Sequence, residues 1–199
     1  MNDTYLTIYG LSTGVYKEKG SKFLSFALPI NSADEAKELI KKYKKEYQDA
    51  NHVCFAYKIG CENAEWKTND DGEPSGTAGK PILGQINSFK LTNIIVLVIR
   101  YFGGILLGAG GLVAAYKNAA ADALNNAEIV EKLVENTLIL QFDYVLINNV
   151  MRTVKDFDAN ILTQNYDNNK CLLTVSVRKA NYLHLKKNLE EIYGVSIND

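Results

Sequence analysis

The sequence predicts a mixed α+β protein built from two consecutive units, and three observations carry that reading. An unbroken β-branched run, Ile94-Ile95-Val96-Leu97-Val98-Ile99, stands between two glycine clusters and ahead of an alanine-rich segment. Such a run predicts a strand buried on both faces. Before it, stretches of alternating polarity flank a stretch of helical spacing. After a charged connector at Glu131–Asn136, the chain reads strand, helix, strand, strand, helix, strand.

Tyr5–Tyr9 and Gly14–Lys19 read as short strands, and Ser21–Ile30 as a third, with Pro29 suited to a strand end. Asn31 or Ser32 can cap a helix over Ala33–Tyr47, whose Ala36, Leu39, Ile40, Tyr43 and Tyr47 recur at helical spacing. Its other face carries Lys37, Lys41, Lys42, Lys44 and Lys45, either a solvated face or a phosphate-facing patch. His52–Ile59 alternates as a strand, with Val53, Phe55, Tyr57 and Ile59 on one side and His52, Cys54 and Ala56 on the other. Gly60–Asp71 is polar and reads as a loop around Trp66, followed by a short helix over Pro81–Phe89. The buried strand Asn93–Tyr101 comes next, then an alanine-rich helix over Gly110–Glu128 closed near Asn125-Asn126.

The connector places a domain boundary, with units over residues 1–130 and 135–199. The second unit takes strand Thr137–Asp143, helix Val145–Phe157, strand Asn160–Tyr166, a turn at Asp167-Asn168-Asn169, strand Lys170–Val177, helix Ala180–Tyr193 and a last strand Val195–Ile197. That order is the order of a ferredoxin-like fold, and the turn chemistry supports the hairpin.

The 199 residues suffice for one large domain or two small ones, and 47% hydrophobic content supports a real core. A net charge of −1 favours no class of partner, so contact with nucleic acid needs a local basic patch. The polar start Met1-Asn2-Asp3-Thr4 shows no secretory signal, and its formal glycosylation sequon matters only on export. The longest apolar run is too short to cross a bilayer. Cys54, Cys61 and Cys171 match no zinc spacing and no Cys-x-x-Cys pair, as expected of reduced thiols in a cytoplasm. With His52 and His184 as the two histidines, a histidine-based metal site is disfavoured.

Function is expected between Asp70 and Tyr116. The polar glycine-rich segment Asp70-Asp71-Gly72-Glu73-Pro74-Ser75-Gly76-Thr77-Ala78-Gly79-Lys80-Pro81 fails as a phosphate loop, because Pro74 and Pro81 stand where glycine and a hydroxyl residue are needed. Gly108-Ala109-Gly110-Gly111 fails as a dinucleotide fingerprint, because Val113 stands where glycine is needed. Gly110 and Gly111 still open a helix, which either binds an anion or packs tightly on a strand. Arg100, ending the buried strand, must face a ligand or pair with Asp70, Asp71 or Glu73. Those three acids either hold Mg²⁺ with a phosphorylated substrate or sit in an exposed loop and pair internally. Tyr101, Phe102 and Tyr116 either stack on bases or belong to the core. Ser75 and Thr77 can serve as phosphate ligands or as ordinary loop residues, and no serine elbow or hydrolase triad is present.

The two segments together, Asp70–Leu83 and Val98-Ile99-Arg100-Tyr101-Phe102-Gly103-Gly104-Ile105-Leu106-Leu107-Gly108-Ala109-Gly110-Gly111-Leu112-Val113-Ala114-Ala115-Tyr116, resemble the IMPACT family in its YigZ-like bacterial form. Gly20-Ser21-Lys22-Phe23 and His52-Val53-Cys54-Phe55-Ala56-Tyr57 extend the likeness over most of the first 125 residues. The resemblance implies a first domain like domain 2 of ribosomal protein S5 and a ferredoxin-like second domain. Eukaryotic members act in translational control by binding the activator of an initiation-factor kinase, through an arrangement whose N-terminal domain this chain lacks. The family often carries Lys or Arg where Ala114 stands here, with Lys117 one turn along.

The expectation is therefore a translation regulator that binds RNA or ribosome-associated factors, with no membrane partner. Its surface joins Arg100, Lys80, Ser75, Thr77, Gly103, Gly104, Gly110, Gly111, Tyr116 and Lys117, with Lys41 and Lys45 as possible additions. No cofactor is required, though Mg²⁺ at Asp70, Asp71 and Glu73 belongs to an alternative reading as an enzyme on a phosphorylated substrate. A pure protein-interaction module is the other alternative.

Overall fold

A computed structural model describes residues 3–62, 64–167 and 169–198. They cluster into two units, one from Tyr5 to Lys132 and the other from Leu133 onward together with residues 3–4.

The first unit contains β1 (Thr4–Ile8), β2 (Ser12–Glu18), β3 (Ser21–Pro29), α1 (Ala33–Glu46), β4 (His52–Ile59), β5 (Glu65–Asn69), α2 (Gly79–Ser88), β6 (Ile94–Tyr101), α3 (Gly108–Asn125) and β7 (Ile129–Leu133). Five strands form one antiparallel sheet in the order β2-β3-β6-β4-β5, and β1 pairs with β7 apart from it. Both faces of the larger sheet are covered. Phe23, Ala27, Cys54, Ala56, Val96 and Val98 pack with residues of α2 and α3. Val53, Phe55, Ile95, Leu97 and Ile99 pack on the other face with Ala36 and Tyr43 of α1. The central strand β6 is buried from Ile94 to Arg100, which is why its sequence runs apolar without alternation.

α1 begins where its sequence allows. Ser32 Oγ accepts the Glu35 N–H at 3.2 Å, and the Glu35 carboxylate accepts the Asn31 N–H at 2.7 Å. α2 and α3 begin at Gly79 and Gly108, each two residues ahead of the expected starts, and neither has a side-chain cap from the residue before it.

Two expectations need correction. The polar segment Gly60–Asp71 is not wholly a loop, because Glu65–Asn69 forms β5 along the outer edge of β4. Its mostly exposed Glu, Trp, Lys and Asn show none of the apolar alternation of a strand with a buried face. Likewise the charged stretch Glu131–Asn136 holds the end of β7 and the start of the next strand.

The second unit contains β8 (Glu135–Asp143), a 3₁₀ turn (Tyr144–Leu146), α4 (Ile147–Asp156), β9 (Asn160–Asp167), β10 (Lys170–Arg178), α5 (Lys179–Glu190) and β11 (Ser196–Asn198). Its sheet is antiparallel, in the order β11-β8-β10-β9. Leu138, Leu140, Phe142, Leu173 and Val175 of the sheet share a core with Val150, Val154, Leu185 and Leu189 of the helices. Asn168, in the expected hairpin turn, lies outside the described residues, and Asn169 beside it has φ +69°. Among the described residues no helix is long and apolar enough to cross a membrane.

Candidate functional site

The sheet register builds the site. Arg100 stands opposite Phe23 of β3 and opposite His52 of β4, so three strands bring one row of side chains to the same end of the sheet. That row faces α2 and α3, because residues two places along each strand, such as Cys54 and Val98, lie in the core those helices cover.

Arg100 is only 5% exposed. A guanidinium this deep requires an anion, and Glu73 supplies it, accepting the Arg100 Nη1–H at 2.7 Å. The same Glu73 oxygen accepts the Tyr116 hydroxyl at 2.8 Å. Arg100 Nη2 lies 3.4 Å from Ser21 Oγ, which also accepts the Gly103 N–H at 3.2 Å. The rings of Phe23 and Phe102 lie 5.6 and 5.5 Å from the guanidinium carbon. One buried ion pair thus ties together the first glycine segment, the end of β6 and the middle of α3.

His52 and Cys54 complete this cluster. The His52 ring donates from Nδ1 to the Asp71 carbonyl at 2.8 Å, since a carbonyl can only accept, and its Nε2 lies 3.8 Å from Glu73 Oε1. Cys54 Sγ lies 3.4 Å from the Tyr116 oxygen. Burial pushes the Cys54 thiol up to about 12 and drives the Tyr116 phenol well above its ordinary range. Protonated, the Cys54 thiol can donate to the Tyr116 oxygen while the Tyr116 hydroxyl donates to Glu73.

The three acids divide their work. Asp70 accepts the N–H groups of Gly76, Ala78 and Gly79 at 2.8, 3.0 and 2.8 Å, and so closes the start of α2 from a distance in sequence. Burial alone raises the Asp70 carboxyl, but these bonds and the charge of Lys80 outweigh it and hold the group below its ordinary value. Asp71 accepts the Val53 N–H at 2.7 Å and pairs with Lys44 of α1. Glu73 serves Arg100 and Tyr116. Among the described residues no group of three or more His, Cys, Asp or Glu side chains is placed to hold a metal ion.

The remaining sequence candidates fall into three places. Thr77 is buried and its hydroxyl donates to the Pro74 carbonyl at 2.6 Å, closing a turn. Ser75, Lys80, Gly103, Gly104, Gly110 and Lys117 are exposed, and Gly111 is half-buried against Leu107. Nothing lies within 4 Å of where a Gly110 side chain would begin, so close packing does not require that glycine. Lys41 and Lys45 belong to α1, which covers the opposite face of the sheet, and the structure does not bring them to the cluster.

Comparison with known proteins places this geometry. The Impact N-terminal domain model matches residues 19–124, which is more than half of the chain. The chain belongs to the IMPACT family. The family member YvyE of Bacillus subtilis is 36% identical over 149 residues, covering 75% of this chain and 69% of that protein. YigZ of Escherichia coli is 33% identical over 156 residues, covering 77% and 76%. A crystal structure described as that of a hypothetical protein matches with a TM-score of 0.76 and 28% identity, covering 99% of this chain and 97% of that one.

The IMPACT-domain match spans every residue of the cluster: Ser21, His52, Cys54, Glu73, Arg100 and Tyr116. Of these, sequence reasoning singled out Arg100, Glu73 and Tyr116 as site candidates and missed Ser21, His52 and Cys54. Their signal was faint: Ser21 precedes Phe23 in the strand beside β6, and His52 and Cys54 share a side of β4. Ala114 of this IMPACT chain is exposed on α3, with Lys117 exposed one turn later.

Proposed function

We propose that this IMPACT-family chain is a cytoplasmic protein that acts in translation, binding RNA or ribosome-associated factors through the rim of its first unit. Membership in the family supports the translational setting. The Glu73 ion pair supports the place, because it fixes both glycine segments and α3 around one point. Around that point Ser75, Lys80, Lys117 and the backbone of Gly103, Gly104 and Gly110 are exposed. Lysines and open backbone are the groups that phosphate oxygens take.

In this reading Arg100 is a positioning residue. Its charge is spent on Glu73, and the ligand contacts fall to the exposed groups around it. The reading contains no magnesium site, because Asp70, Asp71 and Glu73 each serve different protein donors. It includes the S5-like reading of the first unit and the ferredoxin-like reading of the second. For the latter the support is the β-α-β-β-α-β order with the sheet order β11-β8-β10-β9.

The test is co-sedimentation of the full chain with purified ribosomes at low and moderate salt, for wild type and Lys80→Glu/Lys117→Glu. Phosphate contacts release counterions, so binding should fall steeply with salt and be lost in the charge-reversed variant. Absence of wild-type binding at low salt would sink the ribosome-bound form of the proposal.

A further inference from the structure

We propose that β9 is a self-association edge: two copies of this chain pair antiparallel along it, about a two-fold axis at Asn165, and so join their second-unit sheets. The pairing lies wholly in the second unit, apart from the contacts proposed for the first.

The first observation is that β9 is the one unguarded edge of the two larger sheets. Four strands end those sheets: β2 and β5 in the first unit, β11 and β9 in the second. An open edge offers free N–H and C=O groups to any passing strand, and proteins blunt it by covering it, charging it or keeping it short. β2 is covered by α3: its Val15 N–H donates to Asp122 Oδ2 at 2.8 Å, and Asn126 Nδ2 donates to its Thr13 carbonyl at 3.0 Å. β5 has five residues, of which Glu65 and Lys67 are charged and exposed. β11 has three residues. β9 has eight, with no lysine, arginine or proline, and its one charge is Asp167 at the end. Ile161, Leu162 and Tyr166 stand exposed along it. The register slips at Leu162, a bulge that disturbs the start of the strand. From Thr163 to Asp167 the strand pairs residue for residue with β10, which leaves a regular outer edge.

The second observation is that this edge complements itself. Only two residues separate the register partners Asp167 and Lys170, so that pair exchanges both backbone hydrogen bonds. By alternation Asn165 with Leu172 and Thr163 with Thr174 do the same. Gln164 and Tyr166 consequently turn their N–H and C=O groups away from β10, to the open side. With the axis at Asn165, Gln164 of each copy meets Tyr166 of the other, and these outward groups satisfy one another. The side chains agree. Asn165 faces Asn165, and an amide carries both donor and acceptor. The Thr163 hydroxyl faces the Asp167 carboxylate, so no like charges meet. Gln164 and Tyr166 stand opposite Leu173 and Cys171 of the core and so lie on the helix side of the sheet. There the two Tyr166 rings become diagonal neighbours within aromatic reach. Each is already backed by Tyr144, whose ring lies 5.7 Å away. A ladder this short makes for reversible association.

The experiment is sedimentation velocity of the full chain over about 1 to 300 μM, a range that spans weak association. Wild type should pass from monomer to dimer as concentration rises. Gln164→Pro removes an N–H that β10 does not use, so the fold should survive while each copy loses one donor to the other. Dimerisation should weaken about 5- to 160-fold. Asn165→Lys and Asn165→Asp each place like charges together on the axis, and a mixture of the two places opposite charges there. The mixture should associate about 2- to 30-fold more tightly than either variant alone. If Gln164→Pro unfolds, the exposed Asn165 variants decide. Wild type that stays monomeric throughout would overturn self-pairing and leave the edge to an extended segment of another protein. Dimerisation undiminished in Gln164→Pro would place the interface elsewhere and overturn the proposal. A mixture no tighter than its components would overturn the axis at Asn165.

Discussion

Glu73 holds a carboxylate that is 3% exposed, and a charge that deep is tolerated only while its partners are in place. Arg100→Ala leaves it uncompensated and should cost about 3–5 kcal/mol in urea unfolding. The double variant Arg100→Met/Glu73→Gln removes both charges and should recover much of that loss. A double variant no more stable than Arg100→Ala would mean that the pair is not what holds these segments together. Arg100→Ala is accordingly a poor probe of binding, because it alters the frame as well as the surface. Asp70 adds a pH dependence. Its native carboxyl is held below the unfolded value, so its contribution is full at neutral pH and fades as pH falls below about 5 through the lowered native value. In Asp70→Asn that part of the acid-side loss should disappear from a stability profile measured by urea unfolding. At this scale the sequence narrowed the partner of Arg100 to three acids but could not choose among them. The choice depends on how the loop over residues 70–78 closes, which is set by Asp70 binding the start of α2.

At the scale of elements, the legible parts were those whose pattern is local. β4 and β6 show their alternation or continuous burial in the sequence itself, and α1 shows both its cap and its apolar stripe. β5, β7 and the first two residues of β8 were not legible, because exposed strand segments are defined by pairing with distant partners. The start of α2 was misplaced by two residues for a related reason. Gly79 is helical because Asp70, nine residues earlier, accepts its N–H. The close approach of Gly20 and Gly103 is another non-local fact, and it makes a sharp prediction. Gly103→Ala places a Cβ inside the Gly20 backbone and should destabilise the first unit by about 1–3 kcal/mol or more. Gly110→Ala meets open space and, with helical propensity in its favour, should leave thermal stability unchanged or slightly raised. Equal effects of the two would contradict the packing described here.

Over the whole molecule, a net charge of −1 hides an uneven distribution. Around the Arg100–Glu73 pair of the first unit, Lys80, Lys117 and the backbone of Gly103, Gly104 and Gly110 are exposed. The second unit has its own core and sheet, and the contacts proposed with RNA or ribosomes lie outside it. That division is open to direct measurement by hydrogen exchange read by mass spectrometry, on the wild-type chain alone and bound to ribosomes. Slower exchange on binding is expected over residues 72–80 and 101–111. Unchanged exchange in those segments, with protection confined to residues after 133, would contradict it.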